Sequence, residues 1–405
     1  MDFNDTPNEA RFRAEARAWL ADNAPPFELP KGGHIDDAEE VRLGRGWLGC
    51  KTASRYGSIL LPEKYGGRGG TMMEAVIFAE EENVYRLPRG PYVGIGTGMA
   101  IPTIIAHGNA KQVDRFVEPT LRGDLIWCQL FSEPSAGSDL AAVRTRAVKD
   151  EATGDWVVNG QKVWSSWAHL TDWGVLIART DPTLPKHKGL TFFVVDMKTP
   201  GIEVRPIRQI SGLQDFNETF LTDVRIPDGN RIGEVGEGWA CAMTLLTSER
   251  LGQGGAGKDR SIRDLIRYAA ETPRGKGTAL DSEAVRLSLA GAYAEEQAER
   301  HLQARLRTMM SRGENPGATA SIVKLVYTNR YQKVSGLAME FREMVGLAHH
   351  PDDKFTPELW YDYVWSTALR IAGGADEVLR NQIAERVLGM PGEMRVDKNV
   401  PFDQL

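Results

Sequence analysis

Apolar and polar positions fall into three successive textures along the chain. Phe12, Ala16, Trp19 and Leu20 recur at helical spacing with charged residues between them, the mark of one buried helix face. The loop LPEKYGGRGG at 61–70 interrupts that pattern. TMMEAVIFAEEENVYRL resumes it, and the segments around 101–106 and NAKQVDRFVEPTLRG extend it. Near Leu125 the texture changes. DWVVNGQKVWSSW sets Asn159-Gly160 between two strand-like runs, a strong hairpin signal. WGVLIART, LTFFVVDM, IEVRPI and NETFLTDVRI follow, short, rich in β-branched and aromatic residues, and separated by Pro, Gly and Asp. From Trp239 the helical spacing returns, with Val285, Leu289 and Tyr293, then Leu302, Leu306 and Met309, as core positions of long helices.

Helices, then strands, then helices predict an α+β fold with segregated layers rather than alternating βαβ units. The changes of texture divide the chain into a helical region 1–125, a β domain 126–235 and a second helical region 236–405. No GxGxxG stands between a strand and a helix, so a dinucleotide-binding Rossmann unit is not expected.

Composition narrows the class. A length of 405 residues allows two or three domains. A net charge of −6 with scattered basic residues gives no reason to expect nucleic acid. Cys50, Cys128 and Cys241 are far apart and form no CxxC pair, which argues against a zinc ribbon or a disulfide framework. The histidines make no HxxxH or HExxH pattern, and the adjacent His349 and His350 read as loop residues before Pro351, so no metal site is expected. The first residues lack the apolar core of a signal peptide, and no run is apolar enough to span a membrane. The expectation is a cytoplasmic enzyme or binding protein.

Three places carry candidate chemistry. LFSEPSAGSDLAAVRTRA, at 130–147, mixes small residues, hydroxyls and acids where the helical part meets the β domain. Small residues let a backbone approach a ligand and Ser132 and Ser138 can donate hydrogen bonds, but a tight turn entering the β domain accounts for the segment equally well. Trp164 reads as a core aromatic or a ligand-stacking one. In TSERLGQGG, Glu249-Arg250 reads either as a surface ion pair of little energetic value or as a working carboxylate.

Together these stretches resemble the acyl-CoA dehydrogenase family. LFSEPSAGSD is similar to its signature, with Ser135 where the family usually has glycine. NGQKVWSSWAHLTDW looks like its second flavin segment, FNETFLTDVRIPDGNRIGEVGEGW like its exit from the β domain, and GGADEVLRNQIAERVLGMP like its last helix. The resemblance covers nearly the whole chain. It implies an all-helical N-terminal domain, a middle β-barrel and a C-terminal four-helix bundle. It implies α,β-dehydrogenation of an acyl-CoA thioester, with FAD as cofactor and an electron-transfer flavoprotein as acceptor. By the same resemblance Phe131, Ser132, Trp164, Ser165 and Ser166 contact the flavin, and Ser138 contacts the CoA chain.

The resemblance also implies where the base lies. Many members carry a Glu just before a Gly-Thr pair near the C-terminus, and Gly373 stands at that position here. A minority, including isovaleryl-CoA and long-chain types, carry the base earlier, before an Arg, and Glu249-Arg250 matches that place. Glu249 is then the base, Arg250 tunes it, and the Gly373 backbone N–H keeps a role toward the thioester oxygen. Small residues at 372–375 imply room for a branched or bulky acyl group. The FAD-binding segments that members of homotetramers exchange are altered: Thr272 and Gly275 stand for Arg and Phe, and Glu343 stands for Gln with only Gly346 kept. That departure implies an α2β2 assembly with a related chain as an alternative to a homotetramer. An oxygen-using oxidase or monooxygenase relative and a non-catalytic subunit are the other readings left open.

Overall fold

Short polar caps set the starts of the first helices. The helices are α1 (Pro7–Asn23), α2 (Asp37–Ala53), α3 (Met72–Glu82), α4 (Ile101–His107) and α5 (Ala110–Leu121). Thr6, Thr71 and Asn109 each open a helix with a reciprocal capping box to Glu9, Glu74 and Gln112. The side chain of Asp36 accepts the Ala38 N–H to start α2. The predicted apolar face of α1 is the buried one: Phe12, Ala16 and Leu20 pack with Trp47, Tyr56, Ile77 and Phe78, and Trp19 lies partly buried against them.

The computed structural model describes residues 5–30, 35–88, 90, 94–252, 261–312, 314, 317–342 and 356–405. They group into two units, 1–252 with 393–405, and 253–392.

In the first unit the sheet is built from β1 (Trp127–Leu130), β2 (Arg146–Lys149), β3 (Trp156–Lys162), β4 (Trp173–Arg179), β5 (Leu190–Asp196), β6 (Ile202–Pro206), β7 (Asn217–Ile226) and β8 (Arg231–Ile232). The order is β6-β7-β3-β2-β4-β5-β8, with β1 paired in parallel to β4. Strand β4 is buried at every position, so both faces of the sheet are covered. Trp173, Val175 and Ile177 face a core shared with Ile104, Phe116 and Leu245. Leu176 and Ala178 face the other way, into a core with Trp156, Val158, Leu221 and Ile226. The period of two sorts one strand into two cores.

The expected hairpin at Asn159-Gly160 is a different object. Strand β3 runs straight through both residues, and its pairing with β7 shifts register between Val158 and Gly160. Glycine serves here as a bulge residue: a Cβ at position 160 would meet Thr145 Oγ1 at 2.4 Å. Asn159 exchanges hydrogen bonds with Asp223, donating from Nδ2 at 3.0 Å and accepting the Asp223 N–H at 2.9 Å. The chain turns earlier, between β2 and β3, where the Gly154 N–H donates to Asp150 O at 2.7 Å.

Helix α6 (Gly238–Gly252) begins against β5. A Cβ on Gly238 would lie 2.6–2.7 Å from three backbone atoms of Thr191, so the helix start abuts the strand. Residues 393–405 return to this unit. Phe402 is buried with the Arg179 guanidinium 3.7 Å above its ring, and its N–H donates to Leu184 O at 3.0 Å. Lys186 bridges Asp139 at 2.8 Å and Asp397 at 2.6 Å.

The second unit contains α7 (Ile262–Glu271), α8 (Glu283–Ser311), α9 (Thr319–Glu340), α10 (Thr356–Leu369) and α11 (Asp376–Arg386). Its core joins Leu265, Val285, Leu289, Val334, Leu337 and Leu359. Tyr293 departs from the expected stripe and is exposed, because Ala292 takes the inward place one residue earlier. Among the described residues no helix is long and apolar enough to cross a membrane.

Candidate functional site

The signature segment leaves β1 and is anchored at once. Glu133 is buried and accepts the Arg144 N–H at 2.6 Å, the Thr145 N–H at 2.8 Å and Lys162 Nζ at 2.8 Å. Lys162, wholly buried, also donates to Phe131 O at 3.0 Å. Burial alone would push the Glu133 carboxyl up, but Lys162 and the two backbone N–H groups hold it below the usual carboxylate range. Burial likewise drives the Lys162 ammonium down to about 8 against the pull of Glu133. Sequence alone places the Glu-Pro pair in a motif and gives no sign of this ion pair, whose partner lies in the other flavin-like segment.

The two segments are joined directly, because the Val163 N–H donates to Ser132 O at 2.9 Å. Just past β3, Trp164 stands at φ 61° and Trp167 at φ 55°, left-handed conformations unfavourable for aromatic residues. Such strain costs on the order of 1–3 kcal/mol per residue and gathers where ligands bind. Trp164 is 58% exposed and meets Phe216 edge-on at 5.9 Å, so the core reading of Trp164 is excluded. Ser165 is pinned between backbone partners: its N–H donates to Asn217 O at 3.0 Å and its carbonyl accepts Asn217 Nδ2 at 2.8 Å. Ser165 Oγ is buried and has no partner among the described residues. Ser132 and Ser166 are half-buried. An exposed, strained indole flanked by half-buried hydroxyls fits an aromatic ring system bearing polar edges, as a flavin does.

Ser138 is exposed in the loop before a short turn at Leu140–Ala142. Arg179 braces that loop from beneath, donating to Ala141 O at 2.6 Å and Val143 O at 3.2 Å.

Glu249 lies half-buried on α6. Cys241 and Leu245, four residues apart on that helix, are buried in the core, and Glu249 continues the same stripe one turn further on. Glu249 therefore follows the buried positions of α6 at their own spacing and is neither fully buried nor fully exposed. The side chain of Arg250 lies outside the described residues. In the second unit, Gly373 sits between α10 and α11 with φ 67°, followed by Gly374 at φ 100°.

The altered FAD segment has a local use of its own. Thr272 is buried with Oγ1 donating to Tyr268 O at 2.8 Å, and Gly275 turns a two-residue hairpin at φ 60°. Neither presents a cation or an aromatic ring. Glu343 and Gly346 lie outside the described residues, as do His349, His350 and Pro351.

This architecture, helical then sheet then helical, is shared with known proteins. The family models for the acyl-CoA dehydrogenase N-terminal, middle and C-terminal domains match residues 6–124, 128–224 and 236–388. The chain belongs to the acyl-CoA dehydrogenase family, whose members are oxidoreductases and in general flavoproteins. It is 38% identical to acyl-CoA dehydrogenase IpdE1 of Mycobacterium tuberculosis over 398 residues, 95% of this chain and 98% of that one. It is 40% identical to acyl-CoA dehydrogenase FadE34 of the same organism over 80% of this chain, a match that spans only 43% of that longer protein. Among solved structures, the Tcur3481-Tcur3483 steroid ACAD superposes with a TM-score of 0.81 at 26% identity, covering 97% of this chain and 100% of that one. The ChsE4-ChsE5 complex from Mycobacterium tuberculosis gives 0.79 at 27% identity, over 97% and 100% of the two chains.

Proposed function

We propose that this chain is an FAD-dependent acyl-CoA dehydrogenase in which Glu249 removes the α-proton of a branched or bulky acyl thioester. The observation that carries this reading is the place of Glu249, half-buried on α6 one turn beyond buried Leu245. It is reinforced by a glycine, which has no base, at position 373. Phe131, Ser132, Trp164, Ser165 and Ser166 would hold the flavin ring, and Ser138 the CoA chain. Bound FAD would supply the acceptor for the β-hydrogen and its electron pair, to be passed on to an electron-transfer flavoprotein. Glu249 receives the α-proton, which demands a carboxylate within hydrogen-bond reach and shielded from water. The Gly373 N–H donates to the thioester oxygen as negative charge gathers there. Arg250 tunes the carboxylate.

Steroid side chains are the favoured bulky substrates, because Tcur3481-Tcur3483, which shares this fold, is a steroid ACAD. Thr272 and Gly275, committed to local turns, favour a partner chain that completes the FAD site in an α2β2 assembly, and the ChsE4-ChsE5 structure is of a complex. A cytoplasmic location goes with this reading.

The test is an anaerobic titration of the purified, flavin-loaded protein with octanoyl-, isobutyryl- and cholanoyl-CoA, following flavin absorbance in wild type and Glu249→Gln. Loss of reduction in the variant with flavin still bound supports the assignment. Reduction that survives the substitution rejects Glu249 as base, and a clear preference for octanoyl-CoA rejects the bulky substrate. Rapid reoxidation in air would favour the oxidase reading. A chain that binds no flavin even with its partner would favour the non-catalytic one.

A further inference from the structure

The loop between α10 and α11 is held at three points by one helix. From α9, Lys324 Nζ donates to Gly374 O at 2.7 Å, Asn329 Nδ2 donates to Asp376 Oδ2 at 3.2 Å, and Gln332 Oε1 accepts Arg370 NH1 at 2.5 Å. Arg370 Nε donates to Asp376 Oδ2, and Lys324 Nζ stands 3.7 Å from Asp376 Oδ1. The Asp376 N–H closes the loop on Arg370 O at 3.1 Å. Asp376 is the hub, 2% exposed, facing two cations. Between its ends the chain passes through Gly373 and Gly374, both left-handed, and the Gly373 N–H has no acceptor among the described residues.

This is an expensive way to start a helix. The N-cap of α11 is Ala375, which makes no side-chain cap bond, where Ser, Thr or Asp would accept a backbone N–H of the first turn. The acid sits one residue later and is turned inward. Burying a carboxylate and a lysine is costly unless geometry repays it, and what such clusters return is one defined conformation. The conformation fixed here is that of a glycine pair, the most permissive backbone available.

We infer that Asp376 is a positioning residue that, through Lys324 and Arg370, fixes the aim of the Gly373 N–H at the thioester oxygen. The inference rests on the proposed role of Gly373. A base supplied from another helix leaves position 373 with only its backbone to contribute. A donor in a glycine pair stabilises developing charge only if it is held in advance, and a shift of about 1 Å can cost about 100-fold in rate.

The test uses Asp376→Asn, and Asp376→Asn with Lys324→Met, which keeps the net charge of the cluster and guards against misfolding. The first readout is amide hydrogen exchange at 371–375 in the flavin-free chain, expected to quicken about tenfold or more while the core of α8 and α9 is unchanged. The second, in the flavin-loaded enzyme, uses whichever of octanoyl-, isobutyryl- and cholanoyl-CoA reduces flavin fastest. The expectation is a fall in kcat of about 100-fold with KM within about threefold. The third is the thioester carbonyl stretch of that bound acyl-CoA, expected to lose part of its shift to lower frequency. Unchanged exchange, or an unchanged carbonyl stretch with normal kcat, overturns the inference, as does a rise in KM at constant kcat. Glu249→Gln separates the two claims: if that variant stays active the base assignment fails, while loop exchange and the carbonyl stretch still report on Asp376.

Discussion

Glu133 and Lys162 hold opposite charges 2.8 Å apart inside the first unit, with side chains 5% and 0% exposed. The pair ties the signature segment to the end of β3, so the two stretches that carry the flavin-like residues are fixed to each other before any ligand arrives. Removing one partner leaves an uncompensated buried charge.

Glu133→Gln or Lys162→Met alone is therefore expected to destabilise the chain by about 3–5 kcal/mol, and the double variant by clearly less than the sum. Denaturant unfolding of the three proteins measures this. Because the folded Glu133 pKa lies below its ordinary 4.5, the stabilisation is complete above that value and is lost as pH falls through the folded pKa. Lys162 acts with the same sign in another window. Its depressed pKa costs stability below about 8, and that cost fades between about 8 and the ordinary 10.5. Additive losses in the double variant would show that the two charges do not act as a pair.

Trp164 should separate stability from function. Its left-handed backbone at φ 61° is strained for tryptophan and free for glycine. Trp164→Gly is expected to leave the flavin-free chain as stable as wild type or up to about 1 kcal/mol more stable. The same change removes an aromatic face and should weaken flavin retention about 3- to 10-fold. Thermal unfolding without flavin and equilibrium dialysis with it give the two numbers. Weaker flavin-free stability with unchanged retention would mark Trp164 as structural.

Gly238→Ala tests the proposed base, Glu249, from a distance. The added methyl has nowhere to go but into the Thr191 backbone, and overpacking of that kind costs about 1–3 kcal/mol. Relief requires the start of α6 to move off β5, and the helix carries Glu249 with it. The expected result is a kcat lowered at least about tenfold at a temperature where the variant is still fully folded. A variant with lower melting temperature but wild-type kcat would show that α6 absorbs the strain before reaching Glu249.

The sequence revealed the architecture where periodicity alone sets it. Phe12, Ala16 and Leu20 are buried as their spacing predicts, and β4 and β5 are apolar on both sides because both sides are covered. Asn159-Gly160 misled because a hairpin turn and a bulge both use glycine where the chain needs room, and only the partner strand distinguishes them. Glu249 stood out through the resemblance alone, and the buried Cys241 and Leu245 that precede it at intervals of four became evident only in the fold. The supports of the site were not. Glu133 meets a lysine 29 residues away, and Lys324 reaches a glycine carbonyl 50 residues away, through register and packing that no local spacing encodes.

The chain leaves the first unit at 252 and comes back to it at 393, so the second unit is an insertion with both ends tethered. Synthesis on the ribosome must therefore produce the whole insertion before Phe402 can reach Arg179. At about 5–20 residues per second the sheet waits on the order of ten seconds with that flank bare. The nascent chain is open to chaperones, or to aggregation, for that interval. A coding sequence rich in slow codons within the insertion would lengthen the exposure without changing a single amino acid.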